Sequence, residues 1–580
     1  MTDAYQVNSD QSSTDQNNND QSNNDQSNND QSNNDQSSTV TLQQLLENRD
    51  VSSTLARERL AQQLAAITDL NAVLDIAFAQ LRLDSRQVSE NDAFILLKSQ
   101  TPNCQQSRRY LQQAAKSAAF ILSELDPEAL LSEANAPADA NIQLNDNKLA
   151  AEQPLSNLPC PVVYVPNIRD FLGDLVQLRL QYAQPVVLPT VAAVTGTNGK
   201  TTISQLVAQL TQLAGMSSAV MGTAGNGKLE ALVQASHTTG DALAVQQFLQ
   251  HMGAQQVERL ALEASSHGLD QQRLQGVPIK VAIYTNLSRD HLDYHADMDE
   301  YVAAKAKLFD KQHFPSLTHA IINIDDEHTQ TMLDTAQASG LKVWTYSLDP
   351  SMNATFSAAS IEPSLQGVTI AMQSEFGNIE MVSPLLGRFN VANLLAAIAA
   401  AVALGVDIER ISDLVPKLHG AVGRMQRVAS NNGCFIVDYA HTPDALSQVL
   451  TSLKAHCEGQ LWAVFGCGGD RDAGKRPIMA QAGLSGADRV ILTADNPRSE
   501  DPNIILQDMQ AGMTDEQYER TYIEPARQKA IEHAVKNAAA NDIVVIAGKG
   551  HETYQEIKGV RYDFDDSVIL QQALKQAKRA

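Results

Sequence analysis

The chain has 580 residues, 43% of them hydrophobic and 19% charged, with a formal net charge of −24 at pH 7. That length suits three or four domains with separate buried cores. Charge of this sign is repelled by nucleic-acid phosphates and argues against nonspecific binding to them, and no run of about 18 apolar residues offers a membrane span.

Residues 1–40 are low in complexity: D-Q-S-N-N repeats from Asp20, Asp25 and Asp30, with no large apolar side chain between Val7 and Val40. Such a segment cannot bury enough surface to offset its ordering entropy, and we expect it to be disordered. The start of the chain has no basic segment followed by an apolar core, and its five cysteines (Cys104, Cys160, Cys434, Cys457, Cys467) show neither metal-ligand nor disulfide spacing. Both features predict a cytoplasmic protein.

A first domain is expected over 41–187. It has helical periodicity from Leu55 to Leu70, short strands near Leu81–Leu83 and Phe94–Leu97, and a loop-like insert at 132–158 rich in Ala, Asn, Asp and Pro. A second is expected over 188–418. There, strand-like runs at Val191–Val194, Leu260–Glu263, Val281–Asn286 and Ala320–Asn323 alternate with helical ones, which implies a mostly parallel sheet covered on both faces. A third, over 419–580, has strands at Phe435–Val437, Leu461–Phe465, Val490–Thr493 and Ile543–Ala547. Each of these is followed by a polar or glycine-rich stretch: D-Y-A-H, G-C-G-G-D-R, D-N-P-R and G-K-G-H-E. Ligands of open α/β sheets sit beyond the carboxyl ends of strands, so these stretches form a second binding surface.

The stretch Gly196-Thr197-Asn198-Gly199-Lys200-Thr201-Thr202 joins the Val191–Val194 strand to a helical run ending at Leu213. Loop N–H groups and the helix N-terminus would cradle phosphates there, Lys200 would reach the outer phosphates, and the Thr201 hydroxyl would hold Mg2+. The usual pattern has a glycine where this chain has Val194, so the loop is a shortened variant, and we expect it to bind ATP. Glu263, in E-A-S-S-H-G, and His291, in S-R-D-H-L-D-Y-H, follow neighbouring strands and are candidates to ligate a divalent ion beside the nucleotide. Magnesium favours oxygen, and on spacing alone a loop hydrogen bond explains His291 as well.

Taken together, the motifs G-T-N-G-K-T-T, E-A-S-S-H-G, T-N-L-S-R-D-H-L-D-Y-H, G-R-F-N-V-A-N, D-Y-A-H-T-P, D-N-P-R and G-K-G-H-E resemble those of the Mur ligases of peptidoglycan synthesis, from about Leu81 to the C-terminus. The resemblance implies three domains: an N-terminal mixed α/β UDP-binding domain, a central P-loop ATPase domain and a C-terminal Rossmann-like domain. The implied reaction is ATP-dependent amide formation through an acyl phosphate, joining meso-diaminopimelate to UDP-N-acetylmuramoyl-L-alanyl-D-glutamate in a cytoplasmic, monomeric enzyme. A sibling adding L-lysine and a regulatory P-loop ATPase are the alternatives.

By the same resemblance, Lys200, His291 and Lys305 are catalytic, with Lys305 carbamylated and holding metal together with Thr201, Glu263 and His291. Asn323, Asn390, Asn393, Arg424, Asp438 and His441 are implied at the nucleotide. Leu83, Ser85, His237, Thr238, Thr239, Ser265, Gln271 and Arg273 are implied at the UDP-muramoyl dipeptide. The stretch Lys98 to Gln106 departs from the family's usual glycine-rich turn, so the uracil-side contacts do not carry over. Arg471, Asp495, Asn496, Pro497, Arg498, Gly548 and Glu552 are implied at the diaminopimelate. Arg498 is a planar fork able to pair a carboxylate that lysine lacks.

Overall fold

The computed structural model describes residues 39–47, 54–67, 69–99, 104–132, 157–235, 237–292, 294–364 and 367–580. The low-complexity tail, apart from its last two residues, and the 132–158 insert, apart from its ends, lie outside them. Near the start of the described part, Val40 pairs with Phe78 in a bridge. The helix expected through Leu70 stops at Leu64, and a separate turn follows at Leu70–Ala72. The chain between them carries Ile67, Thr68 and Asp69, all poor helix formers. A four-stranded parallel sheet then runs in the order Leu81–Arg82, Ala93–Leu96, Phe120–Ser123, Val162–Tyr164.

The next unit is a ten-stranded sheet. Its middle strands, in spatial order, are Lys342–Ser347, His319–Asn323, Ile279–Tyr284, Thr190–Thr195, Arg259–Glu263 and Ser218–Gly222, all parallel. Thr190–Thr195 and Arg259–Glu263 are apolar and almost wholly buried, as strands covered on both faces must be. Helices Lys200–Leu213 and Arg388–Ala403 cover one face, and Ala242–Ala254, Met298–Ala306 and Thr329–Ala338 the other.

One edge of this sheet extends through Phe356–Ser364, Gly367–Ser374 and Ile379–Ser383. Phe356–Ser364 still pairs parallel with the body of the sheet, and the last two strands turn antiparallel. Sequence reading assigned no strand here, although Val368, Ile370 and Met372 alternate inward with the period of a half-buried strand.

The last unit is a six-stranded sheet in the order Gln426–Val428, Cys434–Asp438, Ile543–Ala547, Leu461–Phe465, Arg489–Leu492, Thr521–Ile523, parallel except for its first strand. The first and last strands were not anticipated. The stretches after Asp438, Phe465, Leu492 and Ala547 therefore all emerge at one edge. A short antiparallel hairpin, Tyr554–Ile557 with Val560–Asp563, folds over that edge and bridges to Arg498. Among the described residues no helix is long and apolar enough to cross a membrane.

Candidate active site

The phosphate loop is built by its glycines and by the neighbouring strand end. Gly196 (φ +146°) and Gly199 (φ +87°) have positive φ, and a Cβ on Gly196 would lie 1.8 Å from Thr285 Oγ1. Thr197 N–H donates to the Asn286 carbonyl (2.8 Å), Asn198 N–H donates to Asn286 Oδ1 (3.1 Å), and Thr285 Oγ1–H donates to the Asn198 carbonyl (2.6 Å). Asn323 braces this strand end in turn, donating through Nδ2 to the Thr285 carbonyl at 2.6 Å. Thr201 and Thr202 lie in the first turn of the helix, after Lys200, and are buried.

Two lysines meet at one carbonyl. Lys200 Nζ donates to Gly196 O (2.9 Å) and Thr197 O (2.8 Å), and Lys305 Nζ donates to the same Gly196 O (2.8 Å). Lys305 is 1% exposed, with its amine 4.7 Å from the centre of the Tyr301 ring. Burial and the Lys200 charge hold its ammonium well below the ordinary 10.5, which favours the neutral amine.

Glu263 is buried within reach of the Lys200 charge. It accepts from Thr223 N–H (2.9 Å) and Thr223 Oγ1 (3.1 Å). Burial pushes its carboxyl up, and Lys200, Thr223, the Thr201 hydroxyl and Arg424 oppose the shift. His291 adopts a left-handed backbone (φ +54°), and its Nε2 lies 3.6 Å from Asp290 Oδ2. The rings of His267 and Tyr301 pack against it, at 5.0 and 5.9 Å between centroids. Among the described residues, no three His, Cys, Asp or Glu side chains form a metal cluster by themselves. The donors near Lys200 are instead a carboxylate and a hydroxyl, a hard oxygen set that suits magnesium when phosphate oxygens complete it.

The hinge into the last unit reaches the same place. The Arg424 guanidinium lies over the Tyr439 ring at 4.5 Å, and its charge is felt at Lys200, Glu263 and Asp438. Asp438 accepts from Met425 N–H and Ala440 N–H, both at 2.7 Å, and so fastens the hinge to the strand end. His441 Nδ1 lies 2.9 Å from the Tyr439 carbonyl. Asn390 and Asn393 form a buried pair (3.1 Å), and a Cβ on Gly199 would come within 2.6 Å of Asn393 Oδ1.

A cavity of about 290 Å³ opens between the first two sheets, with Leu97, Arg169 and Leu172 on one wall and His237, Gln271 and Arg273 on the other. Arg273 is held by Gln271 Oε1 and by the Thr239 carbonyl (2.9 Å from Nη1). Thr239 Oγ1 donates to the Glu263 carbonyl (2.8 Å) and accepts from Ser265 Oγ, while Thr238 Oγ1 meets Thr223 Oγ1 at 3.0 Å. Thr239, which holds Arg273 of the cavity wall, is thus fixed to the main chain of Glu263, while Thr238 reaches the Glu263 carboxylate through Thr223. Leu83 and Ser85 are not part of this cavity: Ser85 is buried, donating to Gln113 Oε1 at 3.2 Å. Arg169 escaped sequence reading; it pairs with Glu124 at 2.8 Å and reaches the Gln271 carbonyl.

At the edge of the last sheet three loops interlock. Gly469 N–H donates to the Asn496 carbonyl (2.9 Å), and Arg498 Nη1 donates to the Gly469 carbonyl (2.6 Å). Arg498 has a left-handed backbone (φ +51°) and is tied to the hairpin through Glu556 O and Lys558 N. Arg471 is exposed nearby, and Pro497 packs its carbonyl where a Gly469 side chain would be. Asn496 Nδ2 donates to Glu552 Oε2 (2.9 Å), and Asp495 Oδ2 lies 2.8 Å from where a Gly548 Cβ would stand. Sequence reading gave no role to Lys549 and Arg527, both buried among these groups.

A glycine loop between strand and helix, lysines and a buried carboxylate around it, and a second sheet presenting charged strand ends define a P-loop enzyme that couples nucleotide cleavage to a reaction on a second substrate. The Mur ligase middle domain pattern matches 194–401, and the Mur ligase, glutamate ligase domain pattern matches 423–550. The UDP-N-acetylmuramoyl-L-alanyl-D-glutamate–2,6-diaminopimelate ligase of Vibrio vulnificus (strain YJ016) is 40% identical over 516 residues, covering 89% of this chain and 98% of the relative. A solved structure of a ligase of the same name is 42% identical, covers 94% of this chain and 100% of that one, and superposes with a TM-score of 0.67. MurF from Acinetobacter baumannii shares the fold at 16% identity, with a TM-score of 0.54 and coverage of 93% and 99%. The chain belongs to the Mur ligase family and is an ATP-dependent ligase.

Proposed function

We propose that this ligase joins meso-2,6-diaminopimelate to the D-glutamate carboxylate of UDP-N-acetylmuramoyl-L-alanyl-D-glutamate. The observation that carries the reading is Arg498, fixed by Gly469 at a strand end beside Asp495, Asn496 and Glu552. A planar guanidinium next to carboxylates matches a substrate end bearing both a carboxylate and an ammonium. Arg498 is half-buried in the free protein; once a bound substrate covers it, leaving it unpaired costs about 2–5 kcal/mol. A size difference in an apolar pocket yields only about 1–3 kcal/mol. Arg498 therefore selects against lysine more strongly than pocket shape would.

The first unit and the cavity it shares with the second would take the UDP-muramoyl dipeptide, with Arg273 facing an anionic group. The second unit would take ATP. Its loop N–H groups and Lys200 neutralise the phosphates while the substrate carboxylate attacks the γ-phosphorus, forming an acyl phosphate and releasing ADP. The amine nitrogen then attacks the acyl carbon and gives up a proton, and the tetrahedral intermediate expels phosphate to leave the amide. Magnesium, held by Thr201, Glu263 and His291, would supply further charge neutralisation at the transferring phosphoryl group. Lys305, as a neutral amine, suits carbamylation by CO2, which would make it an anionic ligand. We place the enzyme in the cytoplasm as a monomer, consistent with nucleotide-linked substrates.

The test is phosphate release with ATP, the muramoyl dipeptide nucleotide and either diaminopimelate or lysine. Release that depends on diaminopimelate, and falls at least a hundredfold in Arg498→Ala with the KM for ATP held, is the expected result. Unchanged diaminopimelate kinetics in that variant would refute the pocket.

A further inference from the structure

We propose that Lys549, anchored in place with Arg527, is the internal counter-charge of the amine pocket, a positioning residue that sets the pocket's charge to accept one substrate ammonium. This rests on the reading of that surface as the diaminopimelate site. Lys549 is fully buried, and its Nζ lies 3.2 Å from Asn496 Oδ1, 3.1 Å from Glu552 Oε2 and 3.9 Å from Asp495 Oδ1. One ammonium thus touches three of the groups assigned to the substrate. It also fixes the Asn496 amide. Oδ1 accepts from Lys549 and from Glu556 N–H (3.0 Å), so Nδ2 turns to Glu552 Oε2 (2.9 Å). Both bonds to Glu552 end on Oε2, which leaves Oε1 as the oxygen for a substrate ammonium.

Arg527 frames the same loops from beneath. It grips Asp566 bidentately (2.8 and 2.6 Å) with neither side chain exposed, and its remaining donors reach the carbonyls of Ala547 (2.9 Å) and Ala494 (3.5 Å). Those two residues immediately precede Gly548 and Asp495. The strand ends that carry the pocket are therefore pinned to one guanidinium, and Asp495 feels the charges of Arg527 and Lys549 in that order.

Asp495 and Glu552 facing a single ammonium would leave one negative charge in excess at a buried site, and like charges there hold a proton. Lys549 cancels that excess, so the acid side of the pocket matches one ammonium and Arg498 matches one carboxylate. The titratable groups around Lys549 and its two carboxylates include Asp495, Glu552, Arg527, Asp566, Tyr554 (ring centre 5.4 Å away), His551 beside Glu552, Cys467 beside Asp495 and, across the pocket, Tyr439. Burial already pushes the Asp495 carboxyl up, and Arg527 and Lys549 oppose that shift, so without Lys549 Asp495 takes up its proton at higher pH and diaminopimelate binding weakens on acidification.

The experiment measures phosphate release for the full-length enzyme and Lys549→Met, varying each substrate in turn at pH 6.5 and pH 8.5. The expected result is a KM for diaminopimelate raised tenfold or more, with a larger loss at pH 6.5, and KM values for ATP and the muramoyl nucleotide within twofold. Arg527→Lys, which keeps charge and loses the bidentate grip, is expected to raise the diaminopimelate KM severalfold without the pH effect. If Lys549→Met fails to fold, Lys549→Gln, which keeps a donor but no charge, is read by the same criteria. A diaminopimelate KM within twofold of wild type, or a loss equal at both pH values, overturns the counter-charge. If wild-type enzyme releases phosphate without needing diaminopimelate, the functional reading fails and the inference falls with it.

Discussion

His456 gives a prediction whose size follows from the structure. It sits just past helix Pro443–Lys454 of the last unit, 4% exposed, yet both of its partners belong to the central unit. Nε2 accepts from Gly387 N–H and Nδ1–H donates to the Ser364 carbonyl, each at 2.9 Å. That pattern requires the neutral imidazole, because an imidazolium has no lone pair for Gly387. Gly387 opens helix Arg388–Ala403, which carries Asn390 and Asn393, and a Cβ there would stand 2.4 Å from Ser452 Oγ. His456→Ala removes two hydrogen bonds and leaves a buried N–H without a partner, a loss of about 2–4 kcal/mol. Acidification acts on the same contact. Burial lowers the His456 pKa from its ordinary 6.5, so below that pH the unfolded chain takes up a proton that the folded chain resists. The contribution is complete above pH 6.5 and declines as pH falls toward the depressed value, by at most about 1.4 kcal/mol per pH unit. Calorimetry of wild type and His456→Ala between pH 5.5 and 8 reads both effects. The variant's last unit should melt earlier at pH 7.5, and the gap to wild type should narrow toward pH 5.5. Equal stability at pH 7.5, or a gap that does not change with pH, would refute the reasoning.

Legibility in the sequence followed burial and spacing. The strands Leu461–Phe465 and Ile543–Ala547 read directly because parallel strands covered on both faces are unbroken apolar runs. The edge strands Gln426–Val428 and Thr521–Ile523 are only three residues long and half exposed, too short for any period to show. The phosphate loop was legible because its glycines answer to local geometry, a positive φ and a close backbone approach. Arg169, His456, Arg527 and Lys549 were not legible. Each acts through residues far along the chain, such as Glu124, Gly387, Asp566 and Asn496, and only the fold brings those partners close. A lysine or arginine next to apolar residues reads as a surface charge until its buried partner is known.

The loop and its lysine pair supply the remaining predictions. Gly196→Ala would set a Cβ 1.8 Å from Thr285 Oγ1 at a φ of +146°, so ATP binding should weaken at least tenfold by calorimetric titration, while the far unit's melting transition stays put. Lys305→Ala removes an amine that is 1% exposed and bonded to Gly196 O at 2.8 Å, and turnover should fall a hundredfold or more. Loss of a mere structural lysine would be repaired in part by Lys305→Arg. Loss of a carbamate would not, because guanidinium cannot take up CO2 to become an anion. Added bicarbonate should therefore raise the activity of CO2-depleted wild type and leave Lys305→Ala unchanged, whereas full activity in the alanine variant would end any role for the modification.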